Sequence, residues 1–99
     1  MLTLSRFEEY YTGTVSENTL NTQFLVSTFK QMLRWLVREN AKGITREDYK
    51  LLAYEWYDEE YLDALFNRLD AIANEYGYTF SAHPDDGACF GFWRIDDDF

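Results

Sequence analysis

The chain has one cysteine, one proline and five glycines in its 99 residues. Cys89 alone leaves no internal disulfide and excludes a multi-cysteine zinc or iron–sulfur centre. A reducing compartment, the cytoplasm, suits such a chain. No apolar run approaches the roughly 18–20 residues of a membrane-spanning helix. The opening Met1-Leu2-Thr3-Leu4-Ser5-Arg6 lacks the apolar stretch of a signal peptide. Repeats and low-complexity segments are missing. Positive charge is scarce: 9 Lys and Arg stand against 18 Asp and Glu, a net charge of -9. That balance argues against a generic nucleic-acid coat, whose affinity comes from cations that neutralise phosphates.

Aromatic residues are abundant. They make up 19% of the chain, with Trp 3, Tyr 8 and Phe 8, and apolar residues make up 46%. This is enough for a buried core in a chain of one-domain length, so residues 1–99 are expected to form a single domain.

Glycines divide the chain. Residues 1–13 suit either a short helix or a strand. Residues 19–40 read as a helix, because Leu25, Phe29, Met32, Leu33, Leu36 and Val37 recur at spacings of three and four. Ser16, Asn18 or Thr19 would cap its start, and Gly43 followed by Ile44 would end it. Thr45 and Asp48 resemble a capping box for a shorter helix, Arg46 to Glu55, with Leu51, Leu52, Tyr49 and Trp56 as its inward candidates. Asp58 caps a third helix that runs to Tyr76 and stops at Gly77. Its stripe is Leu62, Leu65, Phe66, Leu69, Ile72, Ala73 and Tyr76. Strand-forming segments from Tyr78 to His83 and Ala88 to Ile95 flank the turn Pro84-Asp85-Asp86-Gly87 and read as a β-hairpin. The expected fold class is therefore α+β: helix, short helix, helix and C-terminal β-hairpin.

In this order of elements the stretch from Leu20 to Ile95 resembles the winged helix-turn-helix family. Lys42-Gly43-Ile44-Thr45 leads into the turn–helix pair, and Leu69 to Phe80 matches the passage from third helix to wing. The resemblance implies that the third helix stands where a DNA reader enters the major groove. Here its outward positions are Glu59, Glu60, Asp63, Asn67, Asp70 and Asn74, with Arg68 at the flank. The wing tip carries Asp85 and Asp86. Carboxylates repel phosphates, so the usual mode of DNA binding is not expected.

Charge is segregated along the chain. Residues 1–46 hold six basic and four acidic side chains, whereas residues 47–99 hold three basic and fourteen acidic ones. The second half should attract a basic partner and speed its encounter.

Four constellations compete for function. The first is the acidic surface of Glu55, Asp58, Glu59, Glu60, Asp63, Asp70, Asp85, Asp86 and Asp96 to Asp98. Carboxylates one helical turn apart lie about 5–6 Å from each other. Such an array either imitates a nucleic-acid backbone or simply keeps a small protein soluble. The second is a basic ridge, Lys30, Arg34, Arg38 and Lys42, expected to face solvent. Lys30 and Arg34 would pair with Glu8 or Glu9, or the ridge would meet phosphate or an acidic patch on a second copy. The third is Tyr54, Trp56, Tyr57 and Tyr61 among acids, either a binding hot spot or packing between helices. Phe90, Phe92 and Trp93 would make both faces of the hairpin apolar, so one face is a candidate partner or dimer contact. The fourth is a Cys89–His83 pair across the wing turn, with no third group to orient the base. No phosphate-binding glycine loop or EF-hand pattern is present, and neither an enzyme nor a cofactor is expected.

In size, charge and aromatic content the chain is similar to anti-CRISPR and antirestriction DNA mimics carried by phages, and to toxin-neutralising immunity proteins. That similarity implies a basic protein partner, a nucleic-acid-binding complex or nuclease, met in the host cytoplasm if the chain is phage-encoded. The desolvated anchor would be Tyr57, Tyr61 or Trp56. The competing expectation is a winged-helix regulator that touches DNA through Lys30, Arg34 and Arg38, as a homodimer.

Overall fold

The computed structural model describes residues 1–16, 21–55, 57–83 and 86–95. It is an α+β fold of four helices and a three-stranded antiparallel sheet: α1 Leu4–Tyr10, β1 Gly13–Ser16, α2 Thr22–Arg38, α3 Arg46–Ala53, α4 Glu59–Asn74, β2 Tyr78–His83 and β3 Asp86–Arg94.

The opening segment holds both a helix and the start of a strand. Thr3 caps α1, its side chain accepting from the Arg6 amide, and Phe7 is fully buried. β2 and β3 pair antiparallel as the expected hairpin, and β1 adds to the other side of β3, which makes a sheet of order β1-β3-β2. Ser16, an expected helix cap, is instead the last residue of β1. The cap of α2 is Asn21, whose Oδ1 accepts from the Phe24 amide at 2.9 Å. Asn18 and Thr19 lie outside the described residues.

The end of α2 also differs from expectation. The left-handed residue that ends α2 is Asn40, with φ of 55°, while Gly43, with φ of 83°, lies in the loop beyond it. The Asn40 amide donates to Val37 and the Ala41 amide donates to Leu36. These are the two bonds of a Schellman cap, with the buried Ala41 in the apolar position assigned to Ile44. The caps of the next two helices fall where the sequence places them. The Thr45 amide donates to Asp48 Oδ2 at 2.8 Å, and Asp58 Oδ1 accepts from Tyr61 at 2.8 Å. Gly77, with φ of 79°, ends the tightened last turn of α4 and leads into β2.

α2 packs on α4, and α4 covers β2. Between them lies an aromatic core. Phe29 and Phe80 meet edge to face at 4.8 Å, Phe80 and Phe92 lie tilted at 4.8 Å, and Phe7 stacks on Tyr76 at 4.6 Å. α1 seals this core from the side: the Tyr76 hydroxyl donates to the Leu2 carbonyl and the Tyr78 hydroxyl to Glu8. Phe90 and Phe92 turn to the core, and Trp93 lies on the other face of β3. There the Trp93 Nε1 donates to the Ser81 carbonyl at 2.9 Å and the ring meets His83 edge-on. The outer face of the hairpin is thus partly covered by its own residues.

Candidate functional site

The start of α4 gathers carboxylates because three local demands coincide there. Asp58 caps the helix. Glu59 and Glu60 occupy its first turn, where a negative charge is stabilised by the helix dipole, each by about 0.3–1 kcal/mol. Tyr61 must be buried, which turns its neighbours outward. Glu55, Asp58, Glu59, Glu60, Asp63 and Asn67 are all exposed. The two ion pairs among the described residues are Arg6–Glu39 and Arg68–Asp48, so no basic side chain there neutralises this group. Glu55 and Asp63 have no capping or first-turn role.

Asp70 does not belong with them. It is half-buried against β2, where its Oδ1 accepts from Thr79 Oγ1 at 2.8 Å and from the Phe80 amide at 3.0 Å. This carboxylate satisfies an edge-strand donor of β2, which corrects its expected place on the outward face. Asp85, Trp56 and Asp96 to Asp98 lie outside the described residues, and Asp86 enters as the first residue of β3.

The aromatic cluster divides in two. Tyr54 and Tyr57 are each 40% exposed, whereas Tyr61 is buried and its hydroxyl donates to the Leu51 carbonyl. Burial, reinforced by Tyr57, pushes the Tyr61 phenol up to about 12. Tyr61 is therefore a packing residue and not the exposed anchor expected from the sequence.

Lys30 explains the rest of the cluster. It is 9% exposed; its Nζ donates to the Tyr54 carbonyl at 2.9 Å and lies 5.3 Å from the Tyr57 ring and 5.9 Å from the Tyr61 ring. Its ammonium ties α2 to the α3–α4 connection through a cation–π enclosure. This corrects the solvent-facing basic ridge. Arg34 donates to Gln31 on its own helix, Arg38 is exposed, and Lys42 lies over Tyr76. The expected pairing with Glu8 or Glu9 is also replaced: Glu39 takes Arg6, and Glu8 takes Tyr78.

One ion pair was missed by the sequence reading. Arg68 Nε reaches Asp48 Oδ1 at 2.6 Å and its Nη2 reaches Oδ2 at 2.9 Å and the Gly43 carbonyl at 2.7 Å. The hydrogen bond to Asp48 holds the Arg68 pKa above its usual value against the opposing effect of burial. The signal was present, since Arg68 follows Leu65 by three residues and precedes Ile72 by four, on the margin of the buried stripe.

Cys89 is buried beside Thr14, with Sγ 3.4 Å from Oγ1, while the His83 ring meets Trp93. Among the described residues no three His, Cys, Asp or Glu side chains are grouped to hold a metal ion, and no helix is long and apolar enough to cross a membrane. Compared with known proteins, the chain matches no family model, no curated protein and no solved structure.

Proposed function

We propose that the protein is a binding protein that docks the acidic surface at the start of α4 into a cationic groove of a nucleic-acid-handling protein and so excludes nucleic acid from it. One observation carries this reading: Glu55, Glu59, Glu60 and Asp63 stand exposed together with no neutralising cation among the described residues. The exposed faces of Tyr54 and Tyr57 border them and supply apolar area for a desolvated contact. Glu39 and Asp48 each have a basic partner elsewhere in the fold, so the unpaired state of the α4 group follows from its position and not from a shortage of reach.

The order of elements, with β1 added on the far side of β3, supports a winged-helix-like arrangement in which α4 occupies the place of a groove-reading helix. An anion-covered α4 in that place suits a decoy of DNA, as in anti-CRISPR, antirestriction and immunity proteins. The competing regulator would need Lys30 at its DNA contact, and Lys30 is enclosed by tyrosines.

The test compares the wild-type chain with the triple variant Glu59→Lys, Glu60→Lys, Asp63→Lys as baits in a nuclease-treated extract. The wild-type bait is expected to retain a basic protein that the variant does not retain. Equal retention by both would contradict the proposal, and so would retention of the wild-type chain on heparin at moderate salt.

A further inference from the structure

We propose a second binding site: the groove between α1 and the C-terminal half of α2 takes a small anion carried on a planar ring, of the nucleoside monophosphate class. The groove has a volume of about 470 Å³, within the usual size of small-ligand sites. Its lining is drawn from residues 2–39, inside the half of the chain where basic side chains outnumber acidic ones. The site shares no residue with the acidic surface of α4.

Two guanidiniums meet at this groove. Arg38 is exposed and has no hydrogen bond or ion pair among the described residues. Arg6 is held only by a 3.4 Å contact to Glu39, both side chains being substantially exposed, and by the Tyr10 ring at 5.2 Å. A pair so wet is easily exchanged for a ligand, and planar guanidinium forks match phosphate oxygens.

Tyr11 also lines the groove and is 5% exposed. Burial and the Glu39 carboxylate raise its pKa while Arg6 opposes them. Its hydroxyl is a donor available to a ligand oxygen.

The ring preference comes from Tyr10 and Trp35, which line the groove at 61% and 47% exposure. Exposed aromatic faces beside arginines stack on nucleobases with little regard to sequence. Glu39 offers a carboxylate to the N–H edge of a base such as guanine. Phosphate on the arginines and base on the aromatic wall make one mononucleotide the occupant that uses every charged and aromatic group of the groove.

The experiment titrates the full chain with guanosine monophosphate, following the Trp35 indole N–H by NMR and the affinity by calorimetry. Guanosine and inorganic phosphate are titrated separately. The nucleotide is expected to shift the Trp35 signal saturably and to bind more tightly than either fragment. Arg38→Ala, a change at an exposed position, should weaken binding about tenfold, the loss of one charge-assisted contact, while Arg46→Ala should not. The proposal is overturned if the nucleotide leaves the Trp35 signal unmoved at millimolar concentration. Equal binding by the Arg38→Ala chain overturns it too, as does phosphate binding as tightly as the nucleotide. Loss of partner capture by the α4 triple variant leaves this site untouched, so the two proposals fail separately.

Discussion

Arg68 on α4 grips Asp48 on α3 through both carboxylate oxygens, and one of those oxygens also accepts the Thr45 amide that closes the cap of α3. A single buried carboxylate therefore starts one helix and fastens it to another. Asp48 is 0% exposed, whereas the Arg68 side chain retains 20%.

That asymmetry predicts unequal mutants. Arg68→Met leaves a charge on Asp48 with no access to water and should cost about 3–5 kcal/mol. Asp48→Asn leaves a guanidinium that can turn to solvent, and should cost less, about 2 kcal/mol. Urea unfolding of the two variants checks the order; equal losses would contradict it.

Gly91 should tolerate no side chain. A Cβ there would lie 2.2 Å from the Gly13 carbonyl oxygen and 2.9 Å from the Trp93 ring. Backbone and ring cannot both retreat while β1 stays paired to β3. Gly91→Ala is expected to cost about 3 kcal/mol and to expose the β1 amides to hydrogen exchange. A variant as stable as the parent would mean that β1 does not pair in this register.

The local signals of the sequence were legible and the distant ones were not. Thr45 with Asp48, and Asp58 before Tyr61, were readable because a cap is settled within four residues. β1 was not, because Thr14 finds its partner at Gly91 and nothing near residue 14 announces it. The same limit hid the pairing of Asp70 with the β2 edge. Lys30 was misplaced for another reason. It sits four residues after Val26 and three before Leu33, both buried, so the helical spacing already put it on the inward stripe. Its charge suggested solvent, but a lysine stem packs as an apolar chain when its ammonium finds a carbonyl and aromatic faces. Of the acidic surface, the group at the start of α4 was readable from helical spacing alone.

Tyr61 predicts a decline of stability at alkaline pH. Its folded-state pKa of about 12 lies above the usual 10.0, so folding favours the neutral phenol. The stabilisation is present below pH 10 and is lost as pH rises from 10 towards 12. Tyr11 and Tyr78, both raised, act in the same direction. Tyr61→Phe should be less stable at neutral pH by about 1 kcal/mol, the hydrogen bond to Leu51 being lost. It should also show a shallower alkaline decline. Urea midpoints at pH 8, 10 and 11 read both effects, and an unchanged slope would contradict the assignment.

The proposed function has the α4 surface occupy a site made for nucleic acid. The most direct measurement is displacement: the complex of wild-type chain and captured basic partner is challenged with increasing duplex DNA. Mutual exclusion is predicted, with the chain released as duplex binds and a steep weakening of the protein complex with salt. A stable ternary assembly of chain, partner and duplex would contradict it.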